Sequence, residues 1–224
     1  MKTKHTILIV GGILIIILAA ILFFYPSAKI KAPTGTAFDP LNATYNIGGQ
    51  NVTLVDGSSE IEATPGSASK IKTMVFGVPT SADLNGDGLL DAALMLVQDS
   101  GGSGTFYYAA AAINTPSGAV GTNAVLLGDR IAPQNIEVQN GQIIANFADR
   151  LPGQPMTVSP SLGVSKYFVV SGNELVGSAP VAAPGEHCGG NKANAPTCQS
   201  GYHCAPAPGS NLPFGDVGGV CVQD

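Results

Sequence analysis

The hydrophobic pattern divides the chain into one long apolar run near the N-terminus and many short apolar runs further on, which glycine-rich turns separate. The long run is Ile7–Tyr25, which contains only apolar residues and glycine. As a helix it would extend about 28 Å, close to the thickness of a bilayer core. We therefore predict a membrane anchor in residues 1–25, with membrane contact through residues 7–25.

A cleavable signal peptide is the alternative interpretation of this run. The apolar region of a signal peptide is usually about 7–15 residues long and ends at an A-x-A-like site, which Pro26-Ser27-Ala28 matches only weakly. The short N-terminal tail, Met1–His5, favours an N-terminus inside the cell. The expected location is therefore the cell membrane, with a single pass and the bulk of the chain extracytoplasmic.

In the rest of the chain, short apolar runs alternate with turn residues, which is typical of a β protein. Residues 26–42 predict a linker, because they contain proline and glycine without apolar periodicity. In residues 43–176, short β-branched and aromatic runs are bounded by turn residues, and Asp56-Gly57 and Asn140-Gly141 predict hairpins. The expected fold class is mainly β: an antiparallel sheet domain of sandwich or barrel type, with an N-terminal transmembrane helix and a small C-terminal disulfide-rich module.

Two apolar runs inside this domain allow either helix or strand. Ala92–Val97 and Ala109–Ile113 are rich in alanine, leucine and methionine, which favour helix. Only Asp99–Gly104 separates the two strand patterns that contain these runs, and its glycine-rich part, Gly101-Gly102-Ser103-Gly104, suits a tight antiparallel connection. Continuous apolar runs also fit strands that are covered on both faces. We therefore predict two buried strands.

An acidic loop follows the first long strand pattern. Its oxygen-bearing side chains recur at every second position, and Gly88 at the sixth position permits the sharp turn that lets them converge on a hard cation. The expected calcium ligands are the side chains of Asp83, Asn85, Asp87 and Asp91 and the backbone carbonyl of Leu89. An EF-hand would need glutamate at position 12, where this chain has Leu94. The loop resembles the shorter D-x-D-x-D-G-x-x-D calcium loops between β-strands in FG-GAP-type extracellular repeats, and an Asx-rich turn without metal is the alternative.

The charge distribution limits the classes of partner. Residues 33–224 contain six basic and fifteen acidic residues, a formal charge of −9. Such a surface repels nucleic acid and anionic lipid and is compatible with a divalent cation. We expect no nucleic acid partner.

A family resemblance covers roughly residues 70–176. Asp83-Leu84-Asn85-Gly86-Asp87-Gly88 is followed in order by Gly101–Tyr107, Leu127-Gly128-Asp129-Arg130 and Asn140-Gly141. This series resembles a group of uncharacterised bacterial cell-envelope proteins, which are often lipoproteins. Unlike many of them, this chain has no lipidation cysteine after its apolar run. The resemblance implies a place in the cell envelope but no activity.

All four cysteines lie in a C-terminal module. Residues 177–187 predict a second linker, and residues 188–224 contain Cys188, Cys198, Cys204 and Cys221. About 37 residues bury too little apolar surface to fold without covalent or metal links. An even number of cysteines outside the cytoplasm indicates disulfides. Zinc is the alternative, although structural zinc usually binds a close C-x2–4-C pair, which this spacing lacks.

The cysteine spacing also resembles the frame of fungal family 1 cellulose-binding modules. Cys188-Gly189-Gly190, the segment Cys198–Cys204 and the final Cys221 carry the resemblance. Three pairings are possible for four cysteines, and the frame implies the interleaved one, Cys188–Cys204 with Cys198–Cys221. The family binds glucan through three aromatic residues. Here Tyr202 and Phe214 are the candidate contacts for a glycan or a cell-surface protein.

No catalytic motif of the common hydrolases or nucleotide-binding proteins is present in the sequence. The chain has three histidines, and a serine triad would need His187 or His203 from the cysteine module. Paired carboxylates remain compatible with glycoside hydrolysis, because such pairs form in space. Three hypotheses follow: a non-catalytic, calcium-stiffened surface protein, a glycan-binding module, and an envelope hydrolase. The first is preferred.

Overall fold

The computed structural model describes residues 37–191, 194–207, 209 and 217–224. The predicted membrane anchor, most of the first linker and Phe214 lie outside these residues. Within them, no helix combines the length and the apolar character that a membrane crossing requires. The described chain is mainly β, as the sequence predicts.

Twelve strands form the two main sheets. The larger sheet contains β1 Thr44–Ile47, β2 Gln50–Thr53, β3 Ser58–Glu62, β4 Lys70–Ala82, β5 Asp91–Asp99, β6 Thr105–Thr115, β7 Gly118–Gly121 and β8 Asn123–Asp129. The smaller sheet contains β9 Ala132–Gln139, β10 Gln142–Asp149, β11 Leu162–Ser171 and β12 Glu174–Ser178. A short 3-10 turn, Pro40–Asn42, precedes β1.

The larger sheet curls until its two ends nearly meet. Its strand order is β2-β1-β8-β6-β5-β4-β3, with β7 paired to β6. The end strands β2 and β3 are consecutive in the chain, and the predicted turn Asp56-Gly57 joins them with positive φ at both residues. One bridge, Val55 to Ser58, closes this hairpin before the two strands separate to different neighbours. The turn therefore forms as predicted, but its strands become the two edges of the sheet.

Strands β5 and β6 are the centre of this sheet, and the prediction of two buried strands is confirmed. They pair antiparallel from Ala92 opposite Ala112 to Asp99 opposite Thr105. Alternate residues of β5 belong to different cores, since Ala93 and Met95 face one cluster whereas Leu94 faces the other. The alanines of β6 are small enough for packed layers to approach from both sides.

The smaller sheet packs on one of these two faces. Its inward residues are Ile143, Ala145, Phe147 and Phe168, which share a core with β5 and β6. Asn140-Gly141 joins β9 to β10 with positive φ at both positions, which is the two-residue turn that its sequence predicts. The second core lies on the opposite face of the large sheet, around the fully buried Tyr45.

The C-terminal module contains five short strands: β13 Val181–Ala182, β14 His187–Cys188, β15 Thr197–Cys198, β16 Tyr202–Pro206 and β17 Gly219–Gln223. The strands β14, β17 and β16 form one small sheet, and β13 pairs with β15. Two disulfides, Cys188–Cys204 and Cys198–Cys221, cross-link it in the interleaved pattern. No cysteine of the described chain is free.

The predicted second linker, residues 177–187, is bound to the smaller sheet. Gln142 is 2 % exposed, and its side-chain amide donates to the Ser178 hydroxyl and to the Ala179 carbonyl, each at 2.7 Å. The Gln142 side-chain oxygen accepts from the Val181 backbone amide at 2.6 Å. These bonds fix where the cysteine module leaves the sheet.

Candidate functional site

The acidic loop joins the end of β4 at Ala82 to the start of β5 at Asp91. Gly86 and Gly88 both have positive φ, so the chain reverses sharply where the sequence predicts a turn. The first three predicted ligand side chains, those of Asp83, Asn85 and Asp87, are exposed.

These exposed side chains accept hydrogen bonds from the loop's own backbone. Asp83 accepts from the Gly86 amide at 2.7 Å and from the Gly88 amide at 2.9 Å. The hydrogen bond from Gly88, followed by that from Gly86, holds the pKa of Asp83 below its usual value. Asp87 accepts from the Leu89 amide at 2.8 Å, and Asn85 accepts from the Asp87 amide at 3.0 Å. The side chains therefore stabilise the turn.

Asp91 differs from the other predicted ligands because it is completely buried. One carboxylate oxygen accepts from the Leu84 amide at 2.9 Å, and the other accepts from the Asn114 amide at 2.7 Å. Asn114 returns a hydrogen bond from its side chain to the Leu90 carbonyl at 3.1 Å. Asp91 thus ties both ends of the loop to the end of β6.

The donor set has the oxygen chemistry that calcium prefers, but its carboxylates are not gathered at one point. Among the residues that the structure describes, the three groups that could share a metal are Cys188, Cys198 and Cys221, whose sulfur atoms lie within 4.8 Å of one another. These sulfurs belong to the disulfides. Calcium at the acidic loop stays a prediction, which requires the carboxylates to exchange backbone hydrogen bonds for the ion.

A second polar cluster lies where β8 turns into β9. Arg130 donates to Asp129 at 3.1 Å, and Asp129 accepts from the Thr105 amide at 2.8 Å. Burial alone would raise the pKa of Asp129. The hydrogen bonds from Thr105 and Arg130 and the charges of Arg130 and Arg150 outweigh this effect, so the pKa lies below its usual value. Asp129 and Arg130 therefore form a local ion pair.

Arg150 organises the loop that follows β10. Its guanidinium donates to the carbonyls of Arg130, Met156 and Val158 at 2.9, 3.2 and 2.6 Å. Sequence reasoning does not assign this role, because the three acceptors are backbone atoms that only the folded chain brings together. The cluster therefore stabilises the loop after β10 against the turn between β8 and β9.

In the cysteine module, the candidate contact Tyr202 is half-buried. It packs against the small core of Ala182, Cys188 and Cys221, so part of its ring is committed to the module. His203 faces outward and lies 2.9 Å from the carboxylate of Asp224. The second candidate contact, Phe214, lies outside the described residues.

A cleft that sequence reasoning did not identify lies on the outward face of the smaller sheet, beside the cysteine module. It has a volume of about 390 Å³, and its lining includes Ser165, Tyr167, Ser178, Pro180 and Asn194. The alternation of polar residues along β9 to β11 is the sequence signal for an exposed face. The side of the cleft that Asn194 of the cysteine module forms has no such signal, because only the tertiary structure brings Asn194 to the sheet.

Comparison of the chain with protein-family models, with curated proteins and with solved structures gives no match.

Proposed function

We infer that this chain is a membrane-anchored extracytoplasmic protein of structural or interaction type, with a calcium-stiffened β domain and a stapled C-terminal module that contacts a partner. The observation that carries the inference is the disulfide-linked module. Its core consists of Ala182, Cys188 and Cys221, with Cys198, Cys204 and Tyr202 packed around it. Because half-cystines make up most of this core, the module needs an oxidising compartment to fold.

Anchoring through residues 7–25 is proposed on the length of the apolar run, and the calcium loop is proposed on its ligand spacing. The expected place in a bacterial cell envelope comes from the family resemblance. An anchor inside the membrane and a stapled module outside it would present the β domain at the cell surface.

Asp129 is an acidic residue of the resembled segment, and its environment does not favour hydrolysis by this residue. A glycosidase of the common type needs one carboxylic acid whose pKa is raised, so that it is protonated when it acts. The pKa of Asp129 is instead lowered by its hydrogen bonds and by two arginines. Its carboxylate already accepts hydrogen bonds from Thr105 and Arg130. Asp129 is therefore better suited to hold the fold than to donate a proton.

The proposed location is tested by labelling intact cells that produce the full chain. A membrane-impermeant maleimide should modify no cysteine before reduction and four cysteines after reduction with an impermeant phosphine. Protease added outside the cells should degrade the chain down to a membrane-bound N-terminal fragment. The contrary result is that, in cells never treated with reductant, all four cysteines react, and only with a membrane-permeant reagent. That result would place the chain in the cytoplasm and overturn the proposal. A mature N-terminus near Lys29 would replace the anchor with a signal peptide.

A further inference from the structure

The outward face of the smaller sheet is covered at one end and open at the other. Inward residues alternate with outward ones along each strand, and Ile143, Ala145 and Phe147 fill the core. At the covered end, Gln142 is bonded beneath the segment that leads into the cysteine module. The open end is therefore bounded on one side by the module.

Three strands contribute a row of polar side chains to the open end. Strand register places Asn146 of β10 between Asn135 of β9 and Ser165 of β11. The Asn146 amide donates to Asn135 and to Glu137, each at 2.9 Å, and the Asn146 oxygen accepts from the Ser165 hydroxyl at 2.6 Å. These contacts hold the amide, hydroxyl and carboxylate groups in fixed positions, which lowers the entropy that a ligand must pay for on binding.

An aromatic ring lies beside this polar row. Ile144 of β10 is opposite Tyr167 of β11, and Ile144 is 8 % exposed beneath its neighbours. Tyr167 is half-buried and lines the cleft of about 390 Å³ together with Pro180 and Asn194 of the following segments. A cleft of this size, with an apolar surface and a few fixed polar groups, has the character of a small-molecule or oligomer site.

The charges of the described residues around the cleft favour a neutral ligand over a polyanion. Among the described residues, Lys166 also lines the cleft, and its ammonium donates to the carbonyls of Leu126 and Leu127 at 3.3 and 3.0 Å. Glu137 is the one acidic group in the row, and it already accepts from Asn146. A polyanion would also be repelled by the surplus of acidic residues in the chain.

We propose that this cleft and the polar row that adjoins it at Ser165 bind a neutral glycan, with the Tyr167 ring against a sugar ring and Asn135, Asn146 and Ser165 hydrogen-bonded to sugar hydroxyls. Hydroxyl groups both donate and accept, as do asparagine amides and serine. Tyrosine offers an apolar face for the C–H surface of a pyranose together with a polar tip. Because the cleft uses neither the predicted anchor nor the acidic loop, glycan binding and the proposed anchored role succeed or fail separately.

The experiment is calorimetric titration of the detergent-extracted full chain with neutral oligosaccharides of glucose, mannose and N-acetylglucosamine. A sulfated polysaccharide and an extended neutral peptide serve as comparison ligands. We expect at least one neutral oligosaccharide to bind, and Tyr167→Ala and Asn146→Ala each to weaken its affinity about tenfold, the size of one net hydrogen bond. Tyr167→Phe should retain most of the affinity.

The matched control is Asn51→Ala. Asn51 accepts from Asn46 at 3.1 Å in an exposed pair of asparagines on β1 and β2, so its loss removes the same kind of contact on the other sheet. It should leave binding unchanged. In the wild-type chain, the bound oligosaccharide should also protect Tyr167 against nitration, which tests the site without a variant.

Four results would overturn the proposal. They are the absence of any neutral glycan binding at millimolar concentrations, binding only of the sulfated polymer or the peptide, affinity that persists in both alanine variants, and nitration of Tyr167 that the sugar does not slow. Loss of binding in Tyr202→Ala, with Tyr167→Ala unaffected, would move the site to the cysteine module.

Discussion

The buried amide of Gln142 lies 2.7 Å from the hydroxyl of Ser178, and this contact joins the β domain to the chain that leads into the cysteine module. The same side chain bonds the backbone of Ala179 and Val181. A single glutamine therefore satisfies three groups of a segment whose proline and glycine content predicts a linker.

Gln142→Ala should destabilise the folded chain. The substitution removes the three hydrogen bonds to Ser178, Ala179 and Val181, and one net hydrogen bond is worth about 0.5–1.5 kcal/mol. We expect the free energy of unfolding in urea to fall by about 2–3 kcal/mol. Gln139→Ala, on the exposed residue directly opposite Gln142, is the control and should change it by less than about 0.5 kcal/mol. Equal stability of the two variants would show that Gln142 does not secure this segment.

Gly121→Ala should also destabilise the protein, for a steric reason. A Cβ at Gly121 would meet the Thr44 carbonyl oxygen at 2.3 Å and the Tyr45 ring at 2.7 Å. Both are fixed, because Tyr45 is fully buried and lies in β1. We expect a loss of roughly 1–3 kcal/mol in denaturant unfolding, as for overpacked cores. Gly163→Ala, where a Cβ would have nothing within 4 Å, should be nearly neutral, and a neutral Gly121→Ala would contradict the close approach of β1.

Asp129 should make stability depend on pH at the acidic end. Its folded pKa lies below the ordinary value of 3.8, so the charged form stabilises the fold at every pH above 3.8 and this contribution is lost as the pH falls through the folded pKa. Asp129→Asn should therefore cost about 1 kcal/mol at neutral pH. The cost should shrink below pH 3.8. Urea unfolding of both proteins across this range measures it, and a difference that grows on acidification would have the wrong sign.

Calcium should raise the melting temperature of the full chain if the acidic loop binds it. A ligand that binds only the folded state adds about 2.7 kcal/mol at a concentration one hundred times its Kd. Asp87→Ala should remove most of the increase, whereas Glu174→Ala, on an exposed acid at the start of β12, should leave it intact. Scanning calorimetry with calcium and with chelator measures the effect. An identical melting temperature under both conditions at millimolar calcium would favour the Asx-rich turn without metal.

The two disulfides should exchange when one partner is removed. Cys204→Ser leaves the buried Cys188 as a thiol, and the sulfurs of Cys188, Cys198 and Cys221 lie within 4.8 Å of one another. A thiolate so close to a disulfide can attack it. Non-reducing peptide mapping should therefore show Cys188 joined to Cys198 or Cys221 in part of the sample. The double variant Cys188→Ser/Cys204→Ser should retain only Cys198–Cys221, and a single variant without exchange would contradict the expected reactivity.

Features that depend on neighbouring residues were predictable from the sequence. Asn140-Gly141 specifies its hairpin because both residues tolerate positive φ, and the register of β9 and β10 follows from the turn. The continuous apolar runs at Ala92–Val97 and Ala109–Ile113 indicated strands covered on both faces, because a strand with one face in water alternates apolar and polar residues. The even number of cysteines indicated the disulfides.

Features that join distant segments were decided by the tertiary structure. Asp56-Gly57 forms its turn as its residues require, yet β2 and β3 then pair with β1 and β4 along their whole lengths, over four and five residue pairs, instead of with each other. The sequence around Asp91 has calcium-ligand spacing, but the residue is buried against Asn114, 23 positions away. The cleft beside Tyr167 is lined in part by Ser178 and Pro180, which belong to the segment that Gln142 bonds to the sheet. Turn chemistry and the alternation of faces act over a few residues, whereas pairing and docking depend on which surfaces remain unburied once the whole chain has folded.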